Sequence, residues 1–329
     1  MDEDNESSKS YKDKLRISAN ETGSIVCMDL NPVMEAMPKF GDFRGKTRMF
    51  FEDIFDRMAE EKVFPGAFKI KPAVYEIHDE PWNYNFKGMD AIADMIKNIR
   101  ERFPNIPIIL DSQKNFSDIH NTLCGDAVTA NPYNGADSDK PFADKDLGIY
   151  VSCLTPNLGS KDFQDLRVIS SDDVYNHLEN ALLRANPKIT SQEHFEMIVK
   201  TEIMPALRTS TKSLYMNVAE KIIEWSKDNQ NIGAIVSAEN QNNLRDITMS
   251  LSSYHRPILV QDADNQGKNI PMTLFTLNSI HYDIGLVRID SPKGMMYPWE
   301  TADKAPKDWD ILVVQNLKKW NEKIGYVPK

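Results

Sequence analysis

Six polar or ionisable residues follow short apolar runs in this sequence, each at the point where a run ends. They are Asp29, Lys71, Asp111, Thr155, Asp262 and Asp290. Carboxylates and ammonium groups that share one site can stabilise developing charge and move protons to or from a bound substrate. In an eight-stranded parallel barrel, the residues at the C-terminal ends of the strands form the active site. The pattern therefore predicts an enzyme-type barrel with a charged mouth.

The elements that must position these residues are eight apolar runs, rich in β-branched side chains. They span residues 24–29, 67–71, 106–111, 127–131, 149–155, 232–239, 257–262 and 284–290. Continuous apolar runs of this length are typical of strands buried on both faces, as in parallel sheets. Each gap is long enough for a crossover, and most gaps have helical spacing of apolar residues. The sequence therefore predicts an α/β fold, a parallel (β/α)8 TIM-type barrel.

The longest gap indicates an insertion. The stretch from 170 to 228 is too long for one helix, and only its last part, 214–225, fits a barrel helix. We therefore expect a helical insertion after the fifth strand, at about 170–213, which could form a lid or an interface. Residues 1–22 are expected to form a polar tail with a short helix at about 9–15, and residues 23–329 the barrel domain.

Composition excludes several classes of partner. The formal net charge is −10 and the pI is near 5.2, which argues against a nucleic-acid surface or an anionic membrane. No apolar stretch approaches the roughly 20 residues of a membrane span. The acidic start is unlike a signal peptide, and three cysteines are typical of free thiols in a reducing compartment, so we expect a cytoplasmic protein. The six histidines have no metal-ligand spacing, so neither a metal nor a cofactor is expected.

Four motifs follow the predicted strands in order. They are DLNP at 29–32, KPA at 71–73, DAVTANPYNGADS at 126–138, and TPNLGS at 155–160 followed by DFQDL at 162–166. Together with the run that begins at 232, these segments resemble the bacterial and parasite type of the orotidine 5′-phosphate decarboxylase family. The resemblance runs from about residue 24 to residue 297 and implies the barrel fold of that family.

The resemblance also implies a reaction. It would be the decarboxylation of a pyrimidine nucleotide, orotidine monophosphate, to uridine monophosphate and CO2 by an alternating Asp–Lys–Asp–Lys array. Asp29 and Lys71 would form the outer pair, and Asp111 would face the substrate carboxylate. Lys114 would donate the proton, and Asp118 would enter the site from the partner subunit of a homodimer.

Substrate contacts are implied in the same way. The phosphorylated nucleotide, or a related small molecule, would be bound by Asn131, Thr155, Asn157, Gln164, Gln266, Gly267 and Lys293. Asn131 has an alternative interpretation, because Asn, Pro and Gly at 131–135 are turn formers and could simply end the fourth strand. Gln164 could likewise lie on a loop without touching the ligand.

Several positions depart from the family pattern. Gln113 stands where the proton-donating lysine belongs, and Lys114 follows one residue late. Because successive strand side chains alternate between faces, Lys114 would point away from the site unless a bulge corrects it. Pro156 replaces a hydroxyl residue that reads the pyrimidine amide. Asp262 and Asp264 lie in the expected phosphate loop, and Lys293 replaces a phosphate-clamping arginine.

These departures leave two functions open. The first is a decarboxylase-like lyase, with orotidine monophosphate or an altered substrate, and the joint presence of Asp29, Lys71 and Asp111 favours it slightly. The second is a catalytically inactive barrel that binds a nucleotide or serves in assembly. The segment 111–118 distinguishes the two functions, because a lyase needs a proton donor from this segment and an inactive barrel does not.

Overall fold

The barrel predicted from the apolar runs is present. The computed structural model describes residues 10–112, 123–138, 147–184, 191–261, 269–291, 293–299 and 301–328. Its strands are β1 (Val26–Asp29), β2 (Ala67–Ile70), β3 (Ile108–Leu110), β4 (Ala127–Ala130), β5 (Gly148–Ser152), β6 (Arg167–Val168), β7 (Lys212–Ser213), β8 (Ile232–Ser237), β9 (Ile258–Gln261) and β10 (Val287–Asp290). All except β6 and β7 close into one parallel barrel, in the order β1-β2-β3-β4-β5-β8-β9-β10. The predicted fold class is confirmed.

Helices surround this barrel and fill the crossovers. They are α1 (Tyr11–Thr22), α2 (Phe43–Glu61), α3 (Pro72–Glu76), α4 (Lys87–Arg102), α5 (Ser171–Arg184), α6 (Gln192–Ile198), α7 (Met204–Ser210), α8 (Leu214–Trp225), α9 (Gln241–Ser252), α10 (Ile270–Ser279), α11 (Lys293–Met296) and α12 (Trp309–Ile324). Among the described helices, none combines the length and the apolar character needed to cross a membrane.

The pleat of the strands sorts their side chains between two cores. On β2, Phe68 and Ile70 pack outward against the helices, in a core that also contains Phe55 and Phe103. Ala67 belongs instead to a separate cluster inside the barrel. That inner cluster consists of Tyr11, Leu15, Cys27, Ala67, Ile109, Ala127, Tyr150, Ile235, Leu259 and Leu286. Because side chains alternate along a strand, the residues two positions beyond inner-core members face the barrel interior nearer its mouth.

The N-terminal end of the barrel is closed by α1. Tyr11 and Leu15 lie one turn apart on the buried face of this helix, and the Tyr11 hydroxyl donates a hydrogen bond to the Tyr150 hydroxyl at 3.0 Å. Arg288, fully buried on β10, donates to backbone carbonyls that include Leu15 O at 2.7 Å. The helix is longer than the predicted one at 9–15, because its apolar face continues to Ala19 before Gly23 ends it in the left-handed conformation.

The segment between β5 and α8 contains α5, α6 and α7. Its base is held by the short antiparallel pair of β6 and β7, in which Arg167 lies opposite Ser213. Ile198 and Ile203 form a small apolar cluster of their own, separate from the two cores of the barrel. This part of the chain therefore packs mainly on itself, beside the mouth of the barrel.

Candidate active site

Two carboxylates and a lysine meet inside the C-terminal end of the barrel. Asp29 ends β1, Asp290 ends β10, and Lys69 lies on β2; these three strands are neighbours in the closed sheet. The Lys69 Nζ atom is 2.5 Å from Asp290 Oδ2 and 3.7 Å from Asp29 Oδ2. Each of the three lies two residues beyond an inward-facing position, so the pleat aims them all into the barrel.

Lys69 remains an ammonium group although it is only 4% exposed. Burial by itself would lower the pKa of Lys69, but the carboxylates of Asp290 and Asp29 outweigh that effect and hold the pKa above its usual value. Burial raises the pKa of Asp29 to about 7; nearby Lys69 opposes the rise, and the carboxylates of Asp290 and Asp111 add to it. Burial also raises the pKa of Asp290, against the attraction of Lys69.

One ammonium group does not satisfy both carboxyl groups. Asp29 Oδ1 and Asp290 Oδ1 are buried and have no hydrogen-bond partner among the described residues. An unpartnered carboxylate oxygen in a buried position favours the protonated form of that group. The cluster can therefore hold a proton as well as a charge near neutral pH.

Above the cluster lies a cavity of about 560 Å³. It is lined by Lys71, Ala73, Asp111, Ser112, Ser152, Thr155, Pro156, Asn157, Ile235 and Gln261. The hydroxyl of Thr129 donates to Asp111 Oδ1 at 2.9 Å, which orients that carboxylate at the end of β3. A volume of this size is within the range of small-molecule sites.

Lys71 takes a different place from the one expected. It is exposed at the cavity wall, and its backbone N–H donates to Asn31 Oδ1 at 3.2 Å. Within the described ranges, Lys71 makes no ion pair with Asp29, whose nearest cation is Lys69. The reason is that β2 ends at Ile70, so Lys71 has already left the strand when it reaches the mouth.

A second cavity, of about 350 Å³, shares Ser152, Thr155 and Asn157 with the first. Thr155 and Gln164 bind each other there: the Thr155 N–H donates to Gln164 Oε1 at 3.0 Å, and Gln164 Nε2 donates to Thr155 Oγ1 at 2.9 Å. The hydroxyl of Thr155 also donates to Asn157 Oδ1 at 2.6 Å. These three residues, which the family resemblance assigns to the substrate, thus order one another along one wall.

Asn131 lines the same second cavity and also has a local role. Its Oδ1 accepts from the Tyr133 N–H at 3.1 Å and so caps the 3-10 turn at Pro132–Asn134. This is the turn-forming role that the sequence left open. The side chain is still at the cavity wall, so the two roles are compatible.

The remaining site residues cannot be located in the same way. Lys114, Asp118, Gln266 and Gly267 lie outside the described residues, and for Lys293 only the backbone, at the start of α11, is described. The carboxylates Asp262 and Asp264 of the expected phosphate loop also lie outside the described ranges.

The cysteines take no part in the mouth as nucleophiles. Cys27 and Cys153 are buried, and burial raises the pKa of both thiols, which keeps them protonated. In the part of the chain that the structure describes, no group of three or more His, Cys, Asp or Glu side chains is arranged to hold a metal ion.

Lys69 is the functional candidate that the sequence does not single out, because it lies within an apolar run. Asp290 is one of the six residues expected at the mouth, but the resemblance assigns it no specific role. The sequence does contain a signal for Lys69. This lysine lies two residues before Lys71 within Ala67-Phe68-Lys69-Ile70-Lys71, so the two side chains are expected on the same face of the strand. A lysine inside a strand buried on both faces needs a carboxylate partner, and the run offers none locally.

Curated relatives of this chain include orotidine 5′-phosphate decarboxylases. The orotidine 5′-phosphate decarboxylase of Dehalococcoides mccartyi is 27% identical over 299 residues, which cover 87% of this chain and 88% of that protein. The enzyme of the same name from Cellvibrio japonicus is 31% identical over 194 residues, 53% of this chain and 68% of that protein. The solved structure of Leishmania donovani OMP decarboxylase covers 97% of this chain and 100% of its own, with a TM-score of 0.61 and 21% identity. No protein-family model matches the chain.

Proposed function

The chain belongs to the orotidine 5′-phosphate decarboxylase family, and we propose that it is a carboxy-lyase that converts orotidine monophosphate, or a closely related pyrimidine nucleotide, to the uridine nucleotide and CO2. The observation that carries this proposal is the charge pattern at the mouth. Lys69 lies there between the carboxyl groups of Asp290 and Asp29, and Lys71 and Asp111 line a cavity of about 560 Å³ and act on Asp29 as further charges.

That pattern suits the electronic demand of the reaction. When the bond between C6 and the carboxylate breaks, CO2 leaves and the electron pair stays on C6, where a proton must then be added. Asp111 would crowd the substrate carboxylate before the bond breaks, and this repulsion disappears when neutral CO2 departs. A neighbouring ammonium group would stabilise the carbanion at C6 as its charge develops.

The roles within the array follow from position. Lys71, which lines the cavity, would stabilise charge on the bound nucleotide, and Asp111 would face its carboxylate. Lys114 is proposed as the proton donor, and Asp118 as the residue that crosses from the partner subunit of a homodimer. Thr155 and Gln164, already joined by two hydrogen bonds, would present their polar atoms to the base.

A second candidate is a barrel that binds a nucleotide without turning it over. Pro156 favours it, because this residue lines the mouth cavity and offers neither a hydroxyl nor a backbone N–H to a pyrimidine. The Gln164 amide next to it is already engaged with Thr155. Base recognition would then be weaker than phosphate and sugar recognition.

The proposal is tested by incubating the purified protein with orotidine monophosphate and measuring CO2 release together with uridine monophosphate formation. We expect turnover in the native protein and a loss of about a hundredfold or more in Asp111→Asn, since this variant removes a charge that acts on the reacting carboxylate. Lys97→Ala is the matched control, because Lys97 is an exposed lysine on α4 whose side chain is 77% accessible.

The outcomes separate the two candidates. Turnover that Asp111→Asn leaves undiminished would contradict the proposed array. Absent turnover, combined with calorimetric binding of uridine monophosphate, would favour the nucleotide-binding barrel. Neither turnover nor binding would point to an assembly role.

A further inference from the structure

We propose that Lys69 is a positioning residue of this site: its buried ammonium group is committed to Asp290, and this leaves Asp29 as the carboxyl group that carries a proton at the mouth. The inference deepens the proposed function and rests on it for its catalytic meaning. The experiment that tests it measures the ligand-free protein and does not depend on catalytic turnover.

The geometry of the cluster is asymmetric. Lys69 Nζ forms a short ion pair with Asp290 at 2.5 Å but lies 3.7 Å from Asp29, beyond the range of a direct hydrogen bond. The Asp290 side chain is 12% accessible and that of Asp29 is 26% accessible. Lys69 and Asp290 thus form the buried floor of the cluster, whereas Asp29 is the member that is more accessible from the mouth.

Among the described residues, the groups that face Asp29 do not provide a second close cation. From the surrounding elements these groups are Cys27, Lys69, Lys71, Tyr75, Asp111, Asp290 and Tyr297. Within the described ranges, three carboxyl groups, counting Asp29 itself, therefore share two lysines. Of these, Lys71 is exposed and comes last among the charged neighbours that act on Asp29. Like charges held this close favour protonation of one carboxyl group.

Asp29 is the carboxyl group most able to take that proton. Asp290 is engaged by Lys69 at 2.5 Å, and Asp111 Oδ1 accepts a hydrogen bond from the Thr129 hydroxyl at 2.9 Å. Asp29 and Asp290 each have one buried oxygen without a partner in the described structure, but only Asp290 also accepts a direct hydrogen bond from Lys69. Burial, the first cause, raises the pKa of Asp29 to about 7, in agreement with the geometry.

This assignment has a consequence for the ligand. A protonated Asp29 can donate a hydrogen bond to a hydroxyl or an anionic oxygen of the bound nucleotide, whereas the ionised form can only accept one. Asp290, through Lys69, would set the pH at which Asp29 changes from donor to acceptor. Lys69 is only 4% exposed, so it acts through the two carboxyl groups.

The experiment is a carbon-13 NMR titration of the aspartate carboxyl groups, with the Asp29 signal assigned by its absence in Asp29→Asn. In the native protein we expect a midpoint close to 7. Asp290→Asn frees Lys69 to pair with Asp29 and should lower that midpoint by at least about one pH unit. Lys69→Met removes the shared cation and should raise it by at least about one pH unit.

Lys71→Met is the matched control, because it removes a lysine two residues along the chain that lies outside the floor. It should shift the Asp29 midpoint by clearly less than either test variant. An Asp29 midpoint near 4 in the native protein, or a midpoint that Asp290→Asn fails to lower, would overturn the inference. If Lys69→Met does not fold, Asp290→Asn alone decides the question, since it keeps the buried cation paired.

A second readout separates this inference from the proposed function. The pH dependence of uridine monophosphate binding, followed by calorimetry, should shift in Asp290→Asn in the same direction as the Asp29 midpoint. Shifted carboxyl titrations in a protein that shows no decarboxylation would support the role of Lys69 and refute the proposed activity. Decarboxylation in a protein whose Asp29 titration does not shift in the variants would support the proposed activity and refute the role of Lys69.

Discussion

Removal of the Lys69 ammonium group should be the most damaging single change at the barrel mouth. With an effective dielectric constant near 20, attraction between unit charges amounts to about 7 kcal/mol at the 2.5 Å of Lys69 and Asp290 and about 4.5 kcal/mol at the 3.7 Å of Lys69 and Asp29. Desolvation of the buried ions offsets much of this attraction. Lys69→Met should therefore lower the free energy of unfolding by about 3–5 kcal/mol, because it leaves buried carboxylates without a cation.

A double-mutant cycle isolates the ion pair from the loss of packing. Asp290→Asn alone should lower the free energy of unfolding by less than Lys69→Met does, since Lys69 keeps Asp29 as a partner in that variant. The double variant should lose less than the sum of the two single losses, with a coupling energy of about 2 kcal/mol or more. The assay is urea unfolding at pH 8, followed by circular dichroism, with the midpoint and slope of each transition recorded.

Lys97→Met provides the reference for an exposed lysine, since its contact with Glu101 is 4.0 Å long and at the surface. It should leave the unfolding midpoint almost unchanged. If the losses of unfolding free energy in Lys69→Met and Asp290→Asn sum to the loss in the double variant within about 0.5 kcal/mol, the reasoning is refuted. Additivity of that kind is the behaviour of independent sites.

Stability should also depend on Asp29: its pKa of about 7 exceeds the ordinary 3.8, so the native state binds the extra proton. The contribution of Asp29 to the free energy of unfolding should then fall as pH rises from about 4 to 7, by up to about 1.4 kcal/mol per pH unit. Urea unfolding measured across this pH range should show a different slope in Asp29→Asn, and an unchanged slope would contradict this. Lys114→Ala should reduce CO2 release at least about a thousandfold; undiminished turnover would exclude Lys114 as proton donor. Light scattering at micromolar concentration should give a homodimer, and a monomer would remove the proposed role of Asp118. Calorimetry should give a dissociation constant for uridine monophosphate weaker than the low-micromolar range, because Asp262 and Asp264 would repel the phosphate. A like charge about 4 Å away costs about 4 kcal/mol. Tighter binding would mean that these two carboxylates point outward.

The sequence could predict most of the scaffold because the signals for it are local. An apolar run with β-branched residues indicates a buried strand wherever it lies, and eight such runs with crossovers between them leave few topologies. Helix bounds follow from spacing in the same way: the stretch 214–225, which fits a barrel helix in the sequence, is the helix Leu214–Trp225 in the structure.

Local signals were weaker where burial depends on distant partners. The helix at Tyr11–Thr22 continues beyond the predicted 9–15 because Ala19 is buried against the barrel, which a polar segment does not reveal. Gln164 and Thr155 were suggested as ligand contacts one by one. Their mutual hydrogen bonds became visible only when the loop after β5 had been placed.

By itself, the sequence determined the barrel and the carboxylates at its strand ends, because strand propensity and the two-residue pleat act over a few neighbours. It did not determine which lysine joins Asp29. Lys69 and Lys71 share a strand face in the sequence, and only the closed barrel, which brings β10 beside β1 and β2, places Asp290 against Lys69 across 221 residues of chain. That choice depends on distance and burial, and both are properties of the tertiary structure.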